Sequence, residues 1–375
     1  MRIKLQIFGI LTILCVSWAG MQAQVSPSTG SNTGGPESSS TVGKDARFGQ
    51  LMNQQTGSLQ FFGKVAMAAG RLPWDPIPVV VTCGDKARYN TVADAKGAFY
   101  IVPPPRSSEL SPEKKDLSHA APSELVGCSV TAVVDGFAST RLTIANRTIE
   151  DDPSIGTIML SRDERAGGSS VSSTTDSAPP DALKEFEKAH NDDLEKHFDS
   201  ARHHLEKAVS IDAKFAEAWY HLGQVDQQGN PQEALNAYRK AVAADPNYIP
   251  PYEPIAELSA LQKNWQAVAD ATNQALKLNP AGSPQIWYFN AVGNLNLGNR
   301  AQAETSAQTS LSMDPSHRAP NTEQLLAVIM AGRGEYAGAL EHLRHCLTYL
   351  PPGPNVDVVK QQIAQLEKVV PPPAK

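Results

Sequence analysis

A chain of 375 residues has room for about two or three domains, and 41% apolar residues are enough to build ordinary cores. The formal net charge of −6 is mild and spread along the chain. No basic stripe is available to neutralise phosphates or to lie on an anionic membrane, so nucleic acid is excluded as the expected partner.

At the start, Met1-Arg-Ile-Lys supplies positive charge, Leu5 to Val16 is an apolar run too short to span a bilayer, and Ser17-Trp-Ala19 and Met21-Gln-Ala23 offer small residues for cleavage. Residues 1–23 therefore read as a signal peptide, cut after Ala19 or Ala23. Leu14 precedes Cys15, where a lipid-attachment motif wants a small residue, so lipidation is not expected. No later stretch is apolar enough to cross a membrane, and the expected location is outside the cytoplasm, in a periplasm or at the cell surface. Residues 24–57 are rich in Ser, Thr, Gly and Gln and almost free of aromatics, a composition that reads as a disordered tether.

From Ser58 the period changes. Runs rich in β-branched residues follow one another between turn residues: Leu59 to Met67, Ile77 to Cys83, Ala98 to Val102, Cys128 to Val134, Thr140 to Ile144 and Ile155 to Leu160. They predict a small β-sandwich over 58–162. Cys83 and Cys128 lie at strand edges, each beside a glycine, in a domain expected to be exported, and Cys346 belongs to a different region; a Cys83–Cys128 disulfide is expected. The order Phe62-Gly-Lys-Val, Val79-Val-Val, Asp94-Ala-Lys-Gly97 before Ala98-Phe-Tyr, and Asp135-Gly-Phe137 resembles the carboxypeptidase-regulatory-like (transthyretin-like) domain. That resemblance implies a non-catalytic β-domain. The loop Pro103 to Leu125 reads as an insertion, either a contact loop or a solvated one. Asn146-Arg-Thr148 fits a glycosylation sequon. Residues 163–180, with Gly167-Gly-Ser-Ser and a Ser/Thr run, read as a flexible linker, and Asp181 as the N-cap of the first helix beyond it.

The rest of the chain is organised by one stretch, Ala216 to Pro246. Trp219, Leu222 and Gly223 share one side of a first helix, Gly229-Asn-Pro231 breaks it, and Ala234, Tyr238 and Ala241 mark the packing face of a second. The pattern recurs in phase through Ala189, Ala201, Leu205 and Ala208; Tyr252, Ile255, Ala256, Val268, Thr272 and Ala275; Trp287, Ala291, Ala303, Ala307 and Ser310; and Leu326, Ala327, Ala339, Leu343 and Cys346. A period of roughly 34 residues with this order of aromatic, small and Pro positions resembles the tetratricopeptide (TPR) repeat. One departure is Asp226, where that family usually has Tyr. The resemblance implies an all-α solenoid of about five helix pairs over 181–353, and Val356 to Val370 has the apolar spacing of a capping helix over 354–370.

In the TPR family the first helix of each pair lines a concave groove. Here that stripe holds Tyr220, Gln224 and Gln227, then Glu253 and Glu257, then Tyr288 and Val292. Such a groove suits a peptide with apolar and basic side chains, and it lacks the Lys and Asn residues of the carboxylate clamp in chaperone-binding members. The alternative for Tyr220 and Tyr288 is packing between repeats. Catalytic chemistry finds no support. His203-His204-Leu205-Glu206 has a zinc-peptidase spacing but falls mid-helix in a repeat; His190, Asp193 and His197, and His342, His345 and Cys346, do not make a full ligand set; no phosphate loop or nucleophile elbow occurs. No cofactor or metal is expected. The sequence reading is an exported, non-enzymatic scaffold for a protein or peptide; glycan binding by the sandwich, for instance through Trp74, or service as an enzyme accessory protein is the alternative, and a zinc peptidase the least favoured.

Overall fold

The computed structural model describes residues 60–84, 86–102, 125–145, 152–314 and 319–369, with residues 86–88 as backbone only. The expected signal peptide and tether, nearly all of the Pro103–Leu125 loop and the Asn146–Thr148 sequon lie outside these residues. The chain divides at Asp176 and Ser177 into a β unit and a helical unit.

The β unit contains β1 (Phe61–Met67), β2 (Ile77–Cys83), β3 (Lys86–Ala93), β4 (Ala98–Ile101), β5 (Ser129–Ala132), β6 (Phe137–Ser139), β7 (Leu142–Thr143) and β8 (Ser154–Arg162). They form two four-stranded sheets, in the orders β4-β1-β8-β6 and β3-β2-β5-β7. Strand alternation places Phe61, Val65, Phe99, Ile101, Ile158 and Leu160 of one sheet and Val79, Val81 and Val130 of the other in a shared core. β1 and β8 pair in parallel, whereas the other pairings are antiparallel.

Two strands escape sequence reading. β3 carries Lys86, Arg88 and Asn90 among its residues and pairs only with β2, so as an edge strand it needs no continuous apolar run. β6 is three residues long. The turn between β3 and β4 is as its sequence implies: Asp94 Oδ1 accepts from the backbone N–H groups of Lys96 and Ala98 at 2.9 and 2.8 Å. Gly97 closes that turn at φ +79°, and a Cβ there would lie 2.2 Å from the Val65 carbonyl oxygen, so glycine is required twice over. Cys83 and Cys128 are joined, tying the end of β2 to the approach of β5.

The stretch read as a flexible linker is in part attached to the β unit. The Ser170 N–H donates to the Asp135 carbonyl at 3.0 Å, the Ser169 hydroxyl donates to the same oxygen at 3.3 Å, and Ser169 packs over Gly136. A serine-rich composition signals a lack of apolar burial, but it does not exclude ordering through backbone and hydroxyl hydrogen bonds.

The helical unit consists of α1 (Pro180–Leu194), α2 (Phe198–Ile211), α3 (Ala216–Asp226), α4 (Pro231–Ala244), α5 (Tyr252–Leu261), α6 (Trp265–Leu278), α7 (Pro284–Asn296), α8 (Arg300–Ser312), α9 (Asn321–Arg333), α10 (Tyr336–Tyr349) and α11 (Pro354–Leu366). These are five hairpins and a final helix, in the TPR-like arrangement that the repeat implies. Asp181 is not the N-cap: Pro180 already occupies the first helical position, where its missing N–H costs nothing, and Asp181 falls in the first turn.

Small residues at one phase let the two helices of each hairpin touch. Ala189, Ala256, Ala291 and Ala327 are buried, and Gly223 takes their place in the second hairpin. A Cβ on Gly223 would meet the Tyr238 ring at 2.5 to 2.9 Å. A second device sets the second, third and fourth hairpins on the turns before them. The indole N–H of Trp219 donates to the Ala213 carbonyl, the hydroxyl of Tyr252 to that of Pro246, and the indole N–H of Trp287 to that of Ala281, at 3.0, 2.8 and 3.1 Å and always six residues back. The repeat therefore asks for an aromatic with a polar tip at that place.

Gly223→Ala forces the buried Tyr238 ring to move and should cost about 1–3 kcal/mol, read as a lower urea midpoint with an unchanged slope. Cys83→Ala combined with Cys128→Ala should remove about 4 kcal/mol from the β unit in the chain-entropy model, read in the full chain as faster amide exchange in β2 and β5 but not in α3 to α6.

Candidate interaction surface on the helical unit

Three of the repeat's departures from a plain apolar pattern bear on what the unit can do. Asp226 replaces the customary tyrosine, is buried, and faces the Arg202 guanidinium of α2 at 2.8 Å across the seam between the first two hairpins. In the fifth hairpin Glu323 holds the place of Trp219, Tyr252 and Trp287. It is buried and accepts from His342 Nδ1 at 2.5 Å and His345 Nδ1 at 3.0 Å. Burial alone would push its carboxyl up, but the two imidazole hydrogen bonds outweigh that and hold it below the usual range. The third departure is the pair Glu253 and Glu257 on α5.

The first helices present a stripe of polar groups that bond from one hairpin to the next. Tyr238 donates its hydroxyl to Gln227 Oε1 at 2.6 Å, and Gln227 Nε2 donates to Glu257 Oε2 of the following hairpin at 3.3 Å. Ser283, the N-cap of α7, donates to Glu253 Oε2 at 2.9 Å. Further along, Gln324 Nε2 of α9 donates to Gln362 Oε1 of α11 at 2.9 Å, a buried pair that ties the final helix to the fifth hairpin. Gln224 is exposed, and Gln227, Glu253 and Glu257 are half-buried. Leu261 follows Glu257 by one more turn on the same face and is 42% exposed.

Of the residues expected on this stripe, Gln224, Gln227, Glu253 and Glu257 stand together on neighbouring helices. Tyr220 and Tyr288 do not join them. Each is 9% exposed, with Tyr220 packed among Tyr238, Tyr248 and His221 at centroid distances of 5.8, 5.6 and 5.0 Å, and Tyr288 edge-on to Phe289 at 5.4 Å. The rings turn into the seam between hairpins because a large apolar face is worth more there than on the surface. Val292 is buried as well. Ser283 and Leu261 were not legible as members of the stripe: one is a cap residue, the other a helix-end leucine that the apolar pattern assigns to the core.

Glu253 and Glu257 are raised above the usual carboxylate range. Burial is the first cause for both; for Glu253 the Ser283 hydrogen bond opposes it and the Glu257 charge adds to it, and for Glu257 the Gln227 hydrogen bond opposes it. Among the described residues neither carboxylate has a cationic partner.

The other candidate ligands are placed differently. His204 of the His203-His204-Leu205-Glu206 run meets Glu185 Oε2 at 2.6 Å, and Leu205 is buried. His221 donates from Nδ1 to Gln224 Oε1 at 2.6 Å and is fully enclosed, and burial pushes its imidazole down to about 3. Cys346 is buried where the other hairpins have Ala, Ala, Ala and Ser, and burial pushes its thiol up to about 12. Among the described residues no group of three or more His, Cys, Asp or Glu side chains is arranged to hold a metal ion. Trp74 lies half-buried in the bend between β1 and β2. No described helix is long and apolar enough to cross a membrane.

Because the folded state holds protons on Glu253 and Glu257 more tightly than the unfolded chain, their favourable contribution is complete below about pH 4.5 and is lost as pH rises through the raised values. Glu253→Gln with Glu257→Gln should therefore raise Tm at pH 7 and leave it nearly unchanged at pH 4, measured by thermal melts of the full chain at both pH values.

Residues 216–248 match the tetratricopeptide repeat family model. Among solved structures, the chain is similar to the crystal structure of MamA protein, with 19% identity over 46% of this chain and 98% of that one and a TM-score of 0.41. It is also similar to YrrB, a TPR protein described as having an unusual peptide-binding site, with 18% identity over 48% and 91% and a TM-score of 0.43. A third is a tetratricopeptide repeat protein from Parabacteroides merdae, with 20% identity over 51% and 73% and a TM-score of 0.42. No curated protein matches the chain.

Proposed function

We propose that this chain is an exported interaction scaffold whose helical unit holds a protein or peptide segment along the stripe from α3 to the start of α7, with no catalytic activity of its own. The observation that carries this reading is the row of polar side chains shared between successive first helices. Gln227 with Glu257 and Glu253 with Ser283 are held in place by one another, while Gln224, Glu257 and Leu261 keep surface open to a ligand. A groove whose donors and acceptors are already positioned loses little conformational entropy when an extended segment binds. Export is supported by the composition of residues 1–23 and by the Cys83–Cys128 disulfide, a bond that persists in oxidising compartments. The β unit, in this reading a carboxypeptidase-regulatory-like domain, acts as a spacer or second contact surface.

The test is binding of the full chain to an array of 12-residue peptides, compared with Gln224→Trp, which fills the stripe at an exposed position. Affinity for the retained peptides should fall about tenfold or more in a variant that still melts cooperatively, at a Tm lowered by the loss of the His221 hydrogen bond; peptides that bind the variant equally well would remove the stripe as the binding surface. Export is checked by the N-terminal mass of the protein in the cell-envelope fraction, which should begin after Ala19 or Ala23; an intact chain found in the cytoplasm would refute it.

A further inference from the structure

The helices that form the stripe separate charge in an unusual way. α3, α5 and α7 contain no Lys or Arg, whereas the second helices between them carry Arg239, Lys240 and Lys277. The fold pairs two other buried carboxylates on the first helices with cationic or imidazole groups. Arg202 meets Asp226, and His342 and His345 meet Glu323. Glu253 and Glu257 differ from these, for among the described residues each has one neutral hydrogen-bond donor and no cation. Spaced four apart on one helix, they point to the same side and repel each other. Glu253, in the first turn of α5, gains from the helix dipole; Glu257, in the body of the helix, has no such support.

We infer that the Glu253–Glu257 pair receives a lysine or arginine side chain of the bound segment, which completes the charge balance that the protein leaves open at this hairpin. This rests on the groove reading above and narrows it to a basic partner. The two neutral donors, Ser283 and Gln227, each occupy an Oε2 atom and fix the carboxylates from the sides. Leu261, one turn further along, gives the aliphatic stem of the basic side chain an apolar surface to lie on. An ammonium or guanidinium group held between two half-buried carboxylates is screened less than a surface ion pair, so the contact confers selectivity.

The experiment uses the full chain and a fluorescein-labelled 12-residue peptide retained on the array, made in four forms that differ at one position: lysine, acetyl-lysine, norleucine and glutamate. Fluorescence anisotropy at low salt should rank lysine about tenfold tighter than norleucine or acetyl-lysine and glutamate weakest. Raising the salt should narrow that gap, and Glu253→Gln with Glu257→Gln should collapse the lysine preference to within about twofold. Equal binding of lysine and norleucine forms, or a lysine preference that survives the double substitution, overturns the inference. If Gln224→Trp still abolishes binding in that case, the groove reading stands without the basic contact. If Gln224→Trp changes nothing for any peptide, the groove reading fails and takes this inference with it.

Discussion

The close approach of two helices within each hairpin is the constraint on which the helical unit depends. At Gly223 there is no room even for a methyl group against Tyr238, and the residues at the same phase elsewhere are alanines with no exposed surface to speak of. Once the backbones are that close, the second helices must also be small on the facing side, which accounts for Ala201, Ala234, Ala241, Ala275, Ala303 and Ala339. The large side chains are displaced to the seams between hairpins. Tyr220 and Tyr248 meet there at 5.6 Å, and Phe186 meets Phe215 at 4.8 Å. Stacking thus arises from the same rule that closes each hairpin: what cannot fit inside a hairpin packs against the next one.

Later in the solenoid the seam changes from apolar to polar. Asn290, fully buried, donates to Thr272 Oγ1 at 3.0 Å and Asn273 Oδ1 at 2.8 Å and accepts from Ser306 at 2.7 Å and from Asn294 at 3.0 Å. Ser310 in turn donates to the Pro284 carbonyl at 2.7 Å. Apolar contacts are nondirectional, whereas a buried amide bonded both to the preceding hairpin through Thr272 and Asn273 and to its own second helix through Ser306 permits a single register. The same polar residues blur the helical pattern of α7 and α8 in the sequence. The fourth repeat is weak as a sequence signal because its specificity is carried by hydrogen bonds.

Periodicity made the fold largely legible. The five hairpins, the last helix and most strands follow from spacing, and even the small residue that becomes Cys346 is placed by phase. What the sequence does not display is the partner of each polar group. Asp226 reads as a defect in the repeat until Arg202 is seen across the seam, and Glu323 reads as a missing aromatic until His342 and His345 close on it. The stripe was half legible for the same reason. Helical geometry places Tyr220 and Gln224 on one face, but which of them turns to solvent depends on Tyr238 and Tyr248, residues that come later in the chain. On the β unit, β3 is hidden by its polar residues, and the hydroxyl contacts of Ser169 and Ser170 with Asp135 are invisible to composition.

These long-range pairings also separate structural charge from charge that is open to a ligand. Removing either member of Asp226–Arg202 or Glu323–His342 leaves a buried group without its partner, so selection for stability alone explains why both members are present. That explanation does not extend to Glu253 and Glu257. Burial works against both charges at neutral pH, the Glu257 charge adds to it at Glu253, and a glutamine at each place would keep the hydrogen bonds to Ser283 and Gln227 without the charge. A feature that stability would discard, set on a face of the solenoid that is open to solvent, is accounted for by what it attracts.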